Sequence, residues 1–150
     1  MQAIKFSSAF IFAVSLLLTG CASKGYGNYS NASMFASTSM ADSTVSHLAS
    51  LYPPGRTEFS LKQRATDPFG TVLVQRLRSR GYAVKEFISN KKPLTAVSAA
   101  PGTSLGYVVN TVAPNLYQVT AYVGNATLSR GFVTATDGKA YPAGPWTRED

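Results

Sequence analysis

The sequence contains few of the residues that build catalytic and metal sites. It has one cysteine, one histidine and one tryptophan, and its seven acidic residues are scattered over 150 positions. Nucleophilic catalysis needs a base beside the nucleophile, and a metal site usually needs three or four convergent ligands. A single cysteine also excludes a disulfide within the chain, so the fold depends on its hydrophobic core. We therefore expect no enzyme activity, no catalytic residues, no bound metal and no cofactor.

Negative charge is scarce, and positive charge is in excess. Fourteen Lys and Arg residues against seven Asp and Glu residues give a formal charge of +7 and an isoelectric point near 9.7. Such an excess favours acidic partners, including nucleic acid and anionic surfaces, but it does not determine fold or chemistry. The hydrophobic fraction of 45% in 150 residues is typical of one small domain accompanied by processing and linker segments.

Residues 1–20 have the layout of a signal peptide. Lys5 provides a positive charge, and an almost uninterrupted apolar run follows over residues 9–18. This run of about ten residues is half of the ~20 that a membrane-spanning helix needs. We therefore expect the leader to be removed on export.

The end of this leader resembles the lipobox of bacterial lipoproteins, and the residues that carry the resemblance are Leu18, Thr19, Gly20 and Cys21. It implies cleavage before Cys21 and attachment of a diacylglycerol group and an N-acyl chain to that cysteine, which would otherwise be an ordinary small hydrophobic residue. Two or three acyl chains exceed what stable anchoring requires. In such lipoproteins Asp after the cysteine signals inner-membrane retention, and Ala22 stands there instead. We expect an outer-membrane lipid anchor, a domain facing the periplasm, and no direct specific nucleic-acid binding.

The mature chain divides into a tether and a domain. Residues 21–33 are rich in Gly, Ser, Asn and Tyr and predict a flexible lipidated tether, and residues 34–150 predict a periplasmic domain. The apolar spacing over residues 39–52 predicts a first helix with Ser39 as its cap. His47 lies off the apolar stripe of this helix, so we interpret it as a solvated residue.

A strand, a helix and a second strand are predicted next. Alternation over residues 57–62 indicates a half-buried strand, and residues 82–87 are interpreted as a second strand. Between them, Thr66 or Asp67 can cap a helix that Gly81 ends. The apolar stripe of this helix consists of Phe69, Val72, Leu73 and Leu77. The three elements form a crossover unit in which the two strands can be parallel.

The C-terminal half predicts a sheet. Residues 89–103 resist any regular assignment and are interpreted as a variable linker. The β-rich runs 105–112, 116–123 and 126–134 follow, separated by turn residues, and they predict an antiparallel meander. The predicted fold class is therefore α+β, a small mixed sheet with two helices, after a flexible lipidated tether.

Two groups of residues have both a structural and a functional interpretation. Arg76, Arg78 and Arg80 form either a solvated helix face near a helix C-terminus or a partner surface for an acidic or phosphate-bearing group. Trp146 either closes the core or anchors an interface, where aromatic residues are enriched. The sequence leaves both alternatives open.

Several segments resemble the TrbH family of conjugal transfer lipoproteins. They run over most of the mature chain, and their order and spacing carry the resemblance, whereas residues 89–103 do not match closely. The matching segments are Leu18–Cys21, Tyr52–Pro54 with Arg56 and Thr57, Asp67–Gly70, Leu77–Arg78, Arg80–Val84, Asn115–Tyr117, Val123–Asn125 and Pro142–Trp146.

The resemblance implies a structural subunit of a conjugative type IV secretion channel, in the core complex at the outer membrane, that supports plasmid DNA transfer. Its partners would be outer-membrane lipid and other core-complex subunits, in a ring-forming hetero-oligomer. The domain would resemble the N-terminal-type domain of secretins and TonB-dependent receptors. The family has no catalytic residues to carry over.

Two other functions remain open at this point. A separate surface-exclusion or cell-wall-binding lipoprotein would be dispensable in donor cells and would act in recipients or on peptidoglycan. An envelope enzyme would require a turnover that is lost on changing a residue such as Ser129 or Tyr117, and the sequence nominates no substrate for it.

Overall fold

A computed structural model describes residues 25–88 and 102–150, in which two helices lie on a mixed sheet. The helices are α1 (Met34–Leu51) and α2 (Pro68–Ser79), and Pro54–Arg56 forms a 3₁₀ turn. The strands are β1 (Gly27–Asn28), β2 (Glu58–Leu61), β3 (Ala83–Lys85), β4 (Thr103–Ala113), β5 (Leu116–Val123), β6 (Ala126–Thr134), β7 (Ala140–Pro142) and β8 (Thr147–Glu149). The predicted α+β class is confirmed.

The sheet has the order β3-β2-β4-β5-β6-β7, with β1 beside β4 and β8 beside β6. β2 runs parallel to β3 and β4, which confirms the parallel crossover through α2. β4, β5 and β6 form the predicted antiparallel meander. Asn115 and Gly124, at φ values of 61° and 60°, make its two turns in the left-handed region that Asn and Gly tolerate.

The core lies between one face of the sheet and the two helices. Along β5, every second residue from Tyr117 to Val123 is buried, as the alternation of apolar residues predicts. α2 contributes Phe69, Leu73 and Leu77, each at most 1% exposed. Burying a side chain of this size contributes roughly 1.5–3 kcal/mol, so this stripe accounts for the docking of α2.

The start of α1 differs from the sequence prediction. The helix begins at Met34 with Ser33 as its cap, and the Ser33 hydroxyl accepts a hydrogen bond from the Ala36 amide at 3.1 Å. Ser39 lies inside the helix, where its hydroxyl donates to the Phe35 carbonyl at 2.9 Å. The predicted cap at Ser39 is therefore wrong, because the buried stripe extends N-terminally through Met40 and Ala36 and requires two more turns of helix.

Part of the predicted tether belongs to the folded domain. Residues 21–24 lie outside the described residues, but Gly27 and Asn28 pair in parallel with Val108 and Val109 of β4, and the Tyr29 amide donates to the Val109 carbonyl at 2.7 Å. The domain therefore starts before Met34, because the edge of β4 beyond its contact with β2 offers backbone partners to this segment.

A side chain fills the gap between β2 and β1 along the edge of β4. The Gln63 amide nitrogen donates to the Tyr107 carbonyl at 2.9 Å, and the Gln63 amide oxygen accepts from the Tyr107 amide at 3.0 Å. Gln63 is 8% exposed, so these bonds satisfy backbone groups that are shielded from water. The side-chain amide of Gln63 thus makes the two hydrogen bonds that the backbone of a strand residue would make at this point.

The C-terminal tail adds two short strands that the sequence did not predict. β7 pairs with the end of β6, and β8 pairs with its beginning. Of the predicted linker, residues 89–101 lie outside the described residues, and Thr103 already belongs to β4.

Candidate interaction surfaces

The predicted lipidation site lies outside the described residues. This applies to Cys21 and to the lipobox residues Leu18, Thr19 and Gly20, as it does to the whole predicted signal peptide. Within residues 25–88 and 102–150, no helix has the length and apolar character needed to cross a membrane.

Arg76 and Arg78 of α2, and Arg80 at its C-terminal cap, each have a partner inside the domain. Arg76 donates from Nε to an Asp42 carboxylate oxygen at 2.7 Å, and Arg80 donates to the Ser46 hydroxyl at 2.9 Å. Both partners lie on α1, so these two arginines join the helices. Arg78 binds Glu86 at 2.8 Å and so joins α2 to the segment after β3. The Arg76 and Arg78 side chains remain 46% and 50% exposed, which leaves part of each guanidinium accessible to a partner.

Trp146 closes the core on the opposite flank of α1. Its indole stacks on the His47 imidazole with 4.7 Å between ring centroids and 1° between planes, and it meets Phe132 edge to face. His47 is therefore half-buried, which corrects its interpretation as a solvated residue. Burial, and secondarily the charge of Arg130, lower the pKa of His47 below its usual 6.5.

Arg130 is a structural residue that the sequence pattern did not reveal. It pairs with Val119 across the sheet and so belongs to the face that carries the helices. Its guanidinium donates to the Gly144 carbonyl at 2.7 Å and to the Ser43 hydroxyl at 3.4 Å, and it lies 5.8 Å from the Trp146 ring centroid. Arg130, rather than the arginines of α2, is thus the cation that Trp146 contacts.

A second cluster of hydrogen bonds converges on Asp67, at the start of the segment Asp67–Gly70. One Asp67 carboxylate oxygen accepts from the Gly70 amide at 3.0 Å and from the Asn28 side chain at 3.1 Å, and the other accepts from the Tyr107 hydroxyl. Burial first, and then the bond to Asp67, raise the pKa of Tyr107 well above its usual range. The sequence identified Asp67 as a helix cap but gave no sign of Tyr107 or Asn28, because both partners are distant along the chain.

Titratable groups in the described part of the chain do not gather into a metal site. Among the described residues, no three His, Cys, Asp or Glu side chains lie close enough together to hold a metal ion. The polar clusters that the structure contains join helices and strands to one another.

Large apolar side chains are exposed at one end of the domain, where β4 ends, β5 and α1 begin and β6 ends. We call this surface the apolar end. It consists of Met34, Phe35, Val112, Val133 and Tyr141, whose exposure ranges from 44% to 67%. Clusters of exposed large apolar residues mark interaction sites more often than isolated ones do.

The sequence matches the protein family described as conjugal transfer protein TrbH over residues 23–150. Comparison with curated proteins found no match, and comparison with solved structures found none either. The likeness to the N-terminal-type domain of secretins and TonB-dependent receptors therefore stays a prediction. Because the match covers 128 of the 150 residues, counted from 23 to 150, this chain belongs to the TrbH family of conjugal transfer proteins.

Proposed function

We propose that this conjugal transfer protein is a lipid-anchored structural subunit of the type IV secretion core complex, held at the outer membrane with its domain in the periplasm. The observation that carries the proposal is the position of the family match, which begins at residue 23, two positions after Cys21. The shared part of the chain is thus the part that would remain after cleavage at the lipobox. Lipid on Cys21 would keep it at the membrane.

The interior of the domain supports a structural rather than an enzymatic role. Membership of the TrbH family of conjugal transfer proteins supports a structural, non-enzymatic role. Two residues of the acidic and basic types hold elements together in the interior: Asp67 caps α2, and Arg130 binds α1 and the C-terminal tail. Catalytic sites instead leave perturbed titratable groups facing a cleft.

The test separates lipidation from location. Donor cells would carry the wild-type chain, a Cys21→Ser variant that cannot be acylated, or an Ala22→Asp variant that keeps the lipid but carries an inner-membrane retention signal. We expect both variants to lose plasmid transfer while the protein level stays normal. Normal transfer by exported, unlipidated Cys21→Ser protein would contradict the anchoring role, and normal transfer by inner-membrane Ala22→Asp protein would contradict the outer-membrane location.

Assembly is tested by gentle detergent extraction of donor outer membranes, followed by purification of a chain tagged after Asp150 and measurement of particle size. We expect a large particle containing other transfer proteins. A lone lipoprotein at its own mass would favour a separate surface-exclusion or cell-wall-binding role instead.

A further inference from the structure

The five residues of the apolar end lie in segments that hydrogen bonds and strand pairing bring to the same end of the domain, and they belong to both of its layers. The Ser33 hydroxyl donates to the Gly138 carbonyl at 3.3 Å, which holds the start of α1 against the turn before β7. Tyr141 donates from its hydroxyl to Asp137 in the same turn at 2.6 Å. On the neighbouring strand, Val133 pairs with Tyr141.

The surface continues from β6 to the far strand. Val133 also pairs with Leu116, and Leu116 pairs with Ala113, the neighbour of Val112. Met34 and Phe35 lie in the helix layer, whereas Val133 alternates with the buried Phe132 and points to the opposite face of the sheet. Only a partner that lies across the end of the strands can contact residues of both layers.

The segment before α1 is fixed to the sheet, which limits how far the lipid can reach. The rings of Tyr26 and Tyr122 pack edge to face at 5.4 Å, and Asn28 binds Asp67 at 3.1 Å. The pairing of Gly27 with Val108 places Gly25 at the level of Gly106 along β4. Four residue steps separate Cys21 from Gly25, so the two α-carbons can be at most about 14 Å apart.

That reach favours a position of the apolar end away from the membrane. Val112 follows Gly106 by six positions, which is about 20 Å along a strand. The α-carbon of Cys21 cannot extend that far from Gly25, and its thioether and glyceryl group would close the difference only if the whole segment ran straight back along the sheet. The chain also runs from Gly25 toward the apolar end, so this end points away from the lipid anchor.

Charge distinguishes between the remaining kinds of partner. The charged residues in the turn beside the surface are Asp137 and Lys139, which have opposite signs, so the positive excess of the chain is not concentrated here. Nucleic acid would require a cluster of cations. An uncharged apolar segment of another protein matches the surface instead.

We propose that the apolar end is the docking surface for another protein subunit of the transfer apparatus, which covers it with an uncharged apolar segment on the side of the domain away from the lipid anchor. This inference rests on the proposed function, because the reach of 14 Å starts from lipid on Cys21. The docked subunit would lie across the ends of β4, β6 and α1.

The first test uses the full-length lipidated protein in donor cells with a photo-crosslinking phenylalanine analogue in place of Phe35. The matched control carries the analogue at Ser50, which is also exposed but lies at the other end of α1. We expect one crosslinked product at position 35, identified by mass spectrometry as another transfer protein joined through an apolar segment, and none at position 50. A product with lipid, with a second copy of this chain or with nothing would overturn the proposal, as would the same product at both positions.

The second test measures transfer by Phe35→Glu and Ser50→Glu variants. Phe35 is 67% exposed, so the first variant should fold and reach its normal level. We expect about a tenfold or greater loss of transfer for Phe35→Glu, since hot-spot residues at interfaces carry energies of this size, and no loss for Ser50→Glu. Equal transfer by the two variants would overturn the proposal. If Cys21→Ser instead transfers normally, it is the proposed function that fails.

Discussion

Substitution of Gly70 by alanine tests how tightly α2 is fitted against the sheet. A β-carbon at this position would overlap the Tyr107 hydroxyl, and it would lie only 2.9 Å from the Ala65 α-carbon and from the Tyr107 ring. Real β-carbons do not approach backbone atoms this closely, so the helix or the tyrosine must move. Moving the tyrosine aside would break its bond to Asp67.

The magnitude follows from three contributions. Overpacking of a core costs ~1–3 kcal/mol, and the loss of a hydrogen bond to a charged group costs ~1.5–3 kcal/mol. Alanine is the better helix former by ~1 kcal/mol, which offsets part of this cost. We therefore expect Gly70→Ala to lower the free energy of unfolding by about 1.5–5 kcal/mol.

The assay is urea unfolding of the exported Cys21→Ser chain, monitored by circular dichroism. Gly55→Ala is the matched control, because nothing lies within 4 Å of a β-carbon added there. It should be neutral or stabilise by ~0.4–1 kcal/mol through the unfolded state. A Gly70→Ala variant within ~0.5 kcal/mol of the parent would refute the reasoning, since that range is typical of surface substitutions.

A double variant locates the cause of the effect. Tyr107→Phe removes the hydroxyl that a β-carbon at position 70 would meet first, and by itself it costs one buried hydrogen bond. If the clash is with this hydroxyl, Gly70→Ala combined with Tyr107→Phe will cost at least ~1 kcal/mol less than the sum of the single variants. Strictly additive costs would show that the damage lies at Ala65 instead.

Three further outcomes are expected. The lowered pKa of His47 means that the unfolded chain binds the proton more tightly, so the free energy of unfolding should fall as the pH drops below 6.5. Unfolding measured at pH 7.5 and 5.5 should show this dependence in the parent and not in His47→Gln. A flat profile in the parent would contradict the expectation. Arg76→Ala removes an ion pair whose partners are both about half exposed, so it should cost at most ~1 kcal/mol, and a loss of transfer at normal stability would identify a partner surface. Gly106→Ala would bring a β-carbon to 2.7 Å from the Tyr26 ring, so it should make the N-terminal segment accessible to proteases without unfolding the domain. Gly131→Ala, whose β-carbon would have no neighbour closer than 3.8 Å, should leave the segment protected. Equal protection in the two variants would show that Tyr26 does not hold the segment.

The elements that the sequence predicted correctly are those with local signals. α2 has a capping Asp67, a proline in its first turn and Gly81 after its end, where φ is 88°. The meander has period-two alternation and turn residues that tolerate positive φ. These signals act within a few residues, so they can be recognised without knowledge of the fold.

The elements that the sequence missed are decided by distant contacts. β1 has only two residues, too few to show alternation, and it exists because Asp67 and the edge of β4 bind it. β7 and β8 have three residues each and depend on β6 in the same way. Arg130 interrupts an apolar face of β6, and its position becomes reasonable only when Ser43 and the C-terminal tail lie beside it.

The structure also changes how the positive charge is understood. Arg76 and Arg80 hold α1 through Asp42 and Ser46, which lie one helical turn apart. On the other flank, Arg130 binds Ser43, and Trp146 stacks on His47 one turn later. Arg80 and Arg130 bind α1 through serine hydroxyls, so these bonds do not pair them with an acidic group. Attaching helices and presenting positive charge to solvent are therefore not alternative roles for these arginines. A guanidinium has five donors in a planar fork, and one or two bonds to the interior leave the others available to an acidic partner.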